Sequence, residues 1–287
     1  MAARPRAAPA TCSTWPFDPM RHSLILLPLV LAACSTAPMT SPSLAERLQQ
    51  HGFDTTSLVV QIEDPTGDVF RLDVAAGDAI ATWMRLRPLT DELGHYPVVC
   101  SDESGTLLEL PELNEDSPAQ IKASAESIDA ADWLAAREAD DPEYYGEVES
   151  GEWDPDLGPN PANWTIPFDL DGAPLDEVWI ALVPTTSPWE ALAHLRYGHW
   201  NECPPSAAHV AVHRSWHERF GAEVVAVSGD TVEMRVTRPP SGEEACGALA
   251  REQFLYSGGD LVFQGAETLG TLASLLNGSG YWFFWWD

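Results

Sequence analysis

The chain has 287 residues and a formal net charge of −29 at pH 7, from 44 Asp and Glu against 15 Lys and Arg. A composition that is 45% hydrophobic with 12 Trp describes a folded protein with ample core, not a disordered polymer. The acidic balance excludes nucleic acid as a partner and electrostatic docking on anionic lipid, because both are held by Arg and Lys.

Residues 1–34 read as a leader. Met20-Arg21-His22 is a short basic start, with Met20 the expected initiator. The apolar stretch from Leu24 to Ala33, interrupted by Pro28, is too short for a bilayer, which needs about 20 apolar residues. It ends in Leu31-Ala-Ala-Cys34 before Ser35. That run resembles the bacterial lipobox, which implies a lipid on Cys34 and a mature protein anchored in the cell envelope, outside the cytoplasm. Residues 35–43 form a Ser/Thr/Pro-rich tether. Beyond Cys12 and Cys34 remain Cys100, Cys203 and Cys246. An exported protein can oxidise two of three thiols, and the pair stays open.

Residues 44–139 read as a smaller mixed α/β region. A helix from Leu44 to His51 closes at Gly52. Strands over Leu58–Ile62 and Val69–Val74 flank an Asp64–Asp68 turn. A helix over Ala79–Arg87 and a strand over Pro97–Cys100 follow, then a helix near Ile128–Ala139. From Ser101 to Asp156 there are 18 acidic residues against Lys122 and Arg137. Residues 140–161, rich in Asp, Glu, Gly and Pro, read as a solvated linker and flexible boundary. No Asp-x-Asp-x-Asp-Gly calcium loop occurs there.

Residues 162–287 are more regular. Val178–Val183 is a continuous apolar run, hence a buried strand. Pro188–Leu195 is a helix, and Gly198–Pro205 a loop. Ser206 is the expected N-cap of a helix that Gly221 ends after Phe220. Glu223–Val227 and Thr231–Thr237 form a hairpin, helices follow near Glu243–Tyr256 and Ala266–Leu276, and Tyr281–Trp286 is the last strand. Apolar on both alternating faces, that strand is expected in the middle of the sheet. The class is α+β, with a C-terminal β-α-α-β-β-α-α-β layer sandwich of ferredoxin-like order carrying extra helices.

An ordered series of motifs then suggests a family. Trp200-Asn-Glu-Cys-Pro204, His209, Trp216-His217 running into Gly221-Ala-Glu-Val-Val225, Gly229-Asp230, Asp260-Leu-Val-Phe-Gln-Gly265 and Trp282-Phe-Phe-Trp-Trp-Asp287 resemble the bacterial domain-of-unknown-function 4253 family over about residues 175–287. Trp83–Arg87 and Gly94–Pro97 resemble the segment that precedes this domain in relatives. Gly258-Gly259 stands where the family pattern has a Cys-Pro pair, and His213 is not a family position. The resemblance implies no activity.

Candidate chemistry gathers on Asn201, Cys203, His209, His213 and His217. At 100° per residue His209, His213, Trp216, His217 and Phe220 share one helix face. His209 and His217 are about 12 Å apart along the axis at 1.5 Å per residue, so the three imidazoles cannot hold one Zn²⁺. A divalent metal on two of them, completed by Cys203 or a distant Asp, is the metal alternative; no cofactor is expected otherwise. Cys203 before a helix N-terminus with His209 as base is the nucleophilic alternative. The structural reading makes His209 and His217 core-edge imidazoles bonded to backbone or to Asn201, and His213 a surface or edge residue. Asp230 is expected to form a turn, Asp260 and Gln264 to fix a loop, and Asp287 to pair with Arg219 or Arg251. Two functions remain: a lipid-anchored module binding a protein partner, such as an immunity-like inhibitor of a basic toxin, or a hydrolase-like enzyme using Cys203 and His209 or a His-centred metal.

Overall fold

A computed structural model describes residues 42–102, 105–114 and 116–287; the lipidation candidate Cys34 lies outside them. Helix α1 (Leu44–Gln50) opens on a capping box, in which Ser43 accepts from the Glu46 N–H at 3.2 Å and the Glu46 carboxylate takes the Ser43 N–H. Strands β1 (Val59–Ile62) and β2 (Val69–Asp73) pair antiparallel across the Asp64 turn. Helices α2 (Ala79–Leu86) and α3 (Thr90–Leu93) lead into β3 (Tyr96–Ser101). The acidic stretch then folds into α4 (Thr106–Leu113), α5 (Pro118–Ala125), α6 (Ala130–Asp140) and α7 (Pro142–Gly146). After β4 (Val178–Val183) come α8 (Ala191–His194), α9 (Ser206–Phe220), β5 (Ala222–Val227), β6 (Thr231–Val236), α10 (Glu243–Tyr256), α11 (Leu269–Leu276) and β7 (Tyr281–Trp285).

The strands form one seven-stranded mixed sheet in the order β1-β2-β4-β3-β5-β6-β7. The fold is mixed α/β, but the sheet does not have the ferredoxin-like order. Strand β4 does not join β5: it pairs antiparallel with β2 and β3, and β3 joins β5 in parallel. β4 is buried on both faces along its whole length and sits inside the sheet with its backbone paired on both edges. β3, also buried throughout, is one of the two partners. The regions read as separate in the sequence thus share one sheet, and residues 42–287 form one compact unit.

Strand β7 lies at the end of the sheet rather than in its middle. Trp282 and Phe284 on one face pack edge-on and stacked against Trp216 of α9. Phe283 and Trp285 on the other face stay half-buried. Helix α2 covers the opposite face from α9, with the Arg235 guanidinium 4.9 Å above the Trp83 ring. The segment expected as a linker is strapped to α11: the Leu269 N–H donates to Glu149 O at 3.0 Å, Gly270 N–H to Ser150 O at 2.7 Å and Asn160 N–H to Leu275 O at 2.8 Å. A Cβ at Gly270 would meet Glu152 O at 2.6 Å, so only glycine permits this approach.

Candidate functional site

The loop before α9 bends sharply. Arg196, His199 and Asn201 all have left-handed φ, at +51°, +80° and +42°. Gly198, at φ +106°, faces the His209 ring, which a Cβ would meet at 2.8 Å. This loop lays Cys203 over α9. Pro205, not Ser206, is the N-cap; the Ser206 hydroxyl donates to Tyr197 O at 2.6 Å and ties the loop to the helix start.

Cys203 Sγ lies 3.5 Å from His209 Nε2. His209 Nδ1 lies 2.5 Å from the Tyr256 hydroxyl, and His213 Nε2 lies 2.7 Å from the same oxygen. The chain Cys203–His209–Tyr256–His213 is buried, with His209 at 0% and His213 at 1% exposure. His213 is therefore no surface residue: Tyr256 of α10 draws it inward. Burial pushes the Cys203 thiol and the Tyr256 hydroxyl well above their usual range. It holds His209 far below its ordinary value, with His213 adding to the effect, and brings His213 down to about 3. All four groups are neutral at pH 7.

Tautomers decide what such a chain can do. His213 Nδ1 is buried without a partner. An orphaned N–H donor is rarer than an orphaned acceptor, so the favoured proton on His213 is the one on Nε2, donated to Tyr256. Tyr256 then donates to His209 Nδ1, and His209 carries its proton on Nε2, towards the sulfur. In that polarity His209 cannot take the thiol proton. Activation of Cys203 requires the whole chain to reverse. Cys203, Cys100 and Cys246 are all free thiols.

His217 does not join this group. Its Nδ1 lies 3.0 Å from Ala222 O and its ring 4.9 Å from Trp189, at the other end of α9. Among the described residues no group of three or more His, Cys, Asp or Glu is placed to hold a metal ion. His209 and His213 share the tyrosine oxygen instead.

The remaining candidates converge on the end of β7. Asn201 Nδ2 donates to Asp287 O at 2.7 Å, the Asp287 N–H to Asp260 Oδ2 at 3.1 Å, and Gln264 Nε2 to Asp260 Oδ1 at 2.9 Å. Asp230 accepts from Trp285 Nε1 at 3.2 Å, while its backbone oxygen takes the Trp286 N–H at 3.1 Å. The pairing expected of Asp287 does not form: Arg219 bonds Glu252 and Arg251 bonds Glu138. Among the described residues no Lys or Arg forms an ion pair with Asp230, Asp260 or Asp287. A cleft of about 300 Å³ opens here, lined by Thr106, Trp200, Asp230, Trp285, Trp286 and Asp287. It lies where β3, β5 and β7, running the same way, end together.

Sequence reasoning missed Tyr256, Tyr197 and the lining role of Trp200, whereas the Trp-rich last strand that carries Trp285 reads as core or as a ligand-stacking platform. Tyr256 is 47 residues from His209, and nothing in the spacing links them. Tyr197 is buried under the loop in edge contact with His209 and Trp286, its hydroxyl unpartnered.

The family model described as Domain of unknown function (DUF4253) matches residues 179–287, the C-terminal part of this chain. Neither a curated protein nor a solved structure matches the chain. Every candidate residue from Asn201 to Asp287 falls within the matched segment. The β2 and β3 partners of its first strand fall outside it.

Proposed function

We propose that this chain is a lipid-tethered binding module of the cell envelope, held at Cys34, whose cleft captures a basic protein partner. An inhibitor of a basic toxin is one form of that role. The observation that carries the reading is the cleft at the ends of β3, β5 and β7. It sets the partly exposed Trp200 and Trp285 beside Asp230 and Asp287 in a chain of net charge −29, while the Trp286 ring is buried beneath. Indole faces and carboxylates together favour a guanidinium or ammonium group, and strong opposite charge speeds capture. Anisotropy titration of the full chain with a fluorescent arginine-rich peptide tests this. Binding is expected to weaken steeply between 50 and 500 mM salt, where the Debye length falls below about 10 Å. Asp230→Asn with Trp285→Ala should reduce affinity at least tenfold with little change in Tm. Affinity indifferent to both substitutions overturns the reading. For the tether, Cys34→Ala should move the protein from the detergent phase to the soluble fraction; unchanged retention overturns it.

The second reading is a hydrolase-like enzyme, favoured by the 3.5 Å contact between Cys203 and His209 with Tyr256 orienting the base. It demands the reversed proton chain and an accessible thiol, and Cys203 is 3% exposed. Iodoacetamide labelling of Cys203 in the native chain at pH 7 would favour it over the binding role.

A further inference from the structure

The cleft continues into a larger groove. About 800 Å³ of space lies beside it, walled by the 165–175 segment on one side and by Phe283 and Trp285 of β7 on the other. Gly229, Asp230 and Trp285 line both spaces, so the two are subsites of one surface. Their chemistry differs. The groove presents Ile166, Phe168, Leu170 and Leu175, with the carboxylates of Asp169 and Asp230 at its edges. The cleft presents indoles and carboxylates.

The groove wall is built in advance. Ser101 Oγ donates to Ile166 O at 2.7 Å. The Thr165 N–H and hydroxyl donate to Glu233 Oε1 at 2.6 and 2.8 Å. Tyr281 Oη donates to Asn163 O at 2.9 Å. The Asp169 carboxylate closes the tip by accepting from the N–H groups of Asp171 and Ala173. On that ordered tip Leu170 is fully exposed, at 108%. A wall fixed at both ends that holds a leucine in water over an apolar groove is preorganised to cover an apolar group. Glu233 adds a further asymmetry: its Oε2 is buried without a partner on the face of β6 that carries the groove.

We infer that groove and cleft together bind an extended basic–apolar segment of a protein partner, an apolar side chain under Leu170 and Phe168 and an Arg or Lys side chain over Trp285 beside Asp230. The inference rests on the cleft reading above and adds the requirement for an apolar residue next to the cation. Charge complementarity selects the occupant, because the rim is acidic and the chain as a whole carries −29. An extended segment alternates its side chains, so apolar and basic residues near each other in its sequence can be offered to the two adjoining subsites.

The test uses the full chain and three capped, fluorescein-labelled nonapeptides: alternating leucine and arginine, the same with serine for leucine, and the same with glutamine for arginine. The leucine–arginine peptide should bind at least tenfold more tightly than either of the others. Leu170→Ser with Phe168→Ser should erase the advantage of leucine over serine and leave the serine–arginine peptide unchanged. Asp230→Asn should weaken both arginine peptides. Equal affinity of the leucine and serine peptides, with arginine still required, overturns the groove inference and leaves the cleft reading standing. Equal affinity of the arginine and glutamine peptides overturns the cleft reading itself. Circular dichroism melts of each variant separate loss of the surface from loss of the fold.

Discussion

At the amino ends of β3 and β5 the Glu223 carboxylate takes Arg87 at 2.5 Å and Arg235 at 2.6 Å, and Tyr96 Oη donates to Val224 O at 2.7 Å across the seam. At the carboxyl ends of the same strands Ser101, Ser228 and Asp230 border an open groove, and a second buried glutamate, Glu233, meets hydroxyls and an N–H but no cation. The two pKa directions record the contrast. Burial pushes both carboxyls up. For Glu223 the hydrogen bonds and charges of Arg87 and Arg235 outweigh it and hold the group below its ordinary value. For Glu233 burial prevails over the bonds from Thr165 and Tyr281. Cations close the end of the seam that holds the two regions together. At the end where the motif residues gather, Glu202 takes Arg137 at 2.9 Å, but Asp230, Asp260 and Asp287 form no ion pair with Lys or Arg among the described residues.

The most drastic way to break this comparison is to remove one side of the seam. A fragment of residues 162–287 retains β4 but neither of its hydrogen-bonding neighbours, β2 and β3. It also loses Arg87 from the Glu223 cluster. The fragment should show no cooperative thermal transition, whereas 42–287 should melt as one unit. A sharp two-state melt of the fragment would mean that the family segment is a self-sufficient domain.

Next in size is Glu223→Gln. Glu223 is 5% exposed, and its loss leaves two guanidiniums without a carboxylate. Breaking such a buried pair costs about 3 kcal/mol, or roughly 6–12 °C in Tm for a chain of this size. Its folded pKa is depressed, so its contribution is present above the unfolded value of 4.5 and lost as pH falls through the folded pKa. The variant should lack that part of the acid loss.

Tyr256→Phe comes third. It strips one hydrogen-bond partner from each of two buried imidazoles, at about 1–3 kcal/mol per unsatisfied group, so a loss of at least about 2 kcal/mol is expected in urea titrations. The acid sensitivity should persist. His213 is held down to about 3 by burial, which the substitution does not remove. Below the unfolded value near 6.5 each imidazole costs about 1.4 kcal/mol of stability per pH unit, until its folded pKa is reached. A wild-type protein with flat stability from pH 6.5 to 4.5 would refute the burial of these rings.

What the sequence made legible follows physical range. The run Val178–Val183 announces a buried strand because six apolar residues in a row allow little else; which strands flank it depends on residues about 80 positions away in β3 and about 110 away in β2. The aromatic run of β7 looks central because both faces are apolar, yet the face of Phe283 and Trp285 lines a groove instead of a core. Helix α5 was legible and overlooked: Ser117 and Gln120 form a capping box and Pro118 sits in its first turn. The motif positions Asn201, Cys203, His209, Asp230, Asp260, Gln264 and Asp287 do gather at one end of the sheet. Tyr256 and the inward turn of His213 were not legible, because helical periodicity places side chains on a face without saying what covers it.

Glu233→Gln sharpens the comparison most finely, because the same exchange that is severe at Glu223 should be mild here. Glu233 Oε1 accepts from the Thr165 N–H and hydroxyl at 2.6 and 2.8 Å and lies 3.0 Å from Tyr281 Oη, whose one proton it shares with Asn163 O, and a glutamine carbonyl oxygen can keep these contacts. The amide nitrogen takes the place of Oε2, which has no partner. The variant exchanges an unpaired acceptor for an unpaired donor and removes a charge from a site at 0% exposure. The net effect at pH 7 should stay within about 1 kcal/mol. The pH dependence carries the sign. Because the folded pKa is raised, the carboxyl contributes fully below the unfolded value of 4.5 and loses that contribution as pH rises through the folded pKa. The difference in stability between variant and wild type should therefore move in the variant's favour from pH 4 to pH 7.5, opposite in direction to the Glu223→Gln difference. Two differences that move the same way, or a loss at Glu233 as large as that at Glu223, would mean that a cation already sits on Glu233, and the contrast between the two ends of the seam would fail.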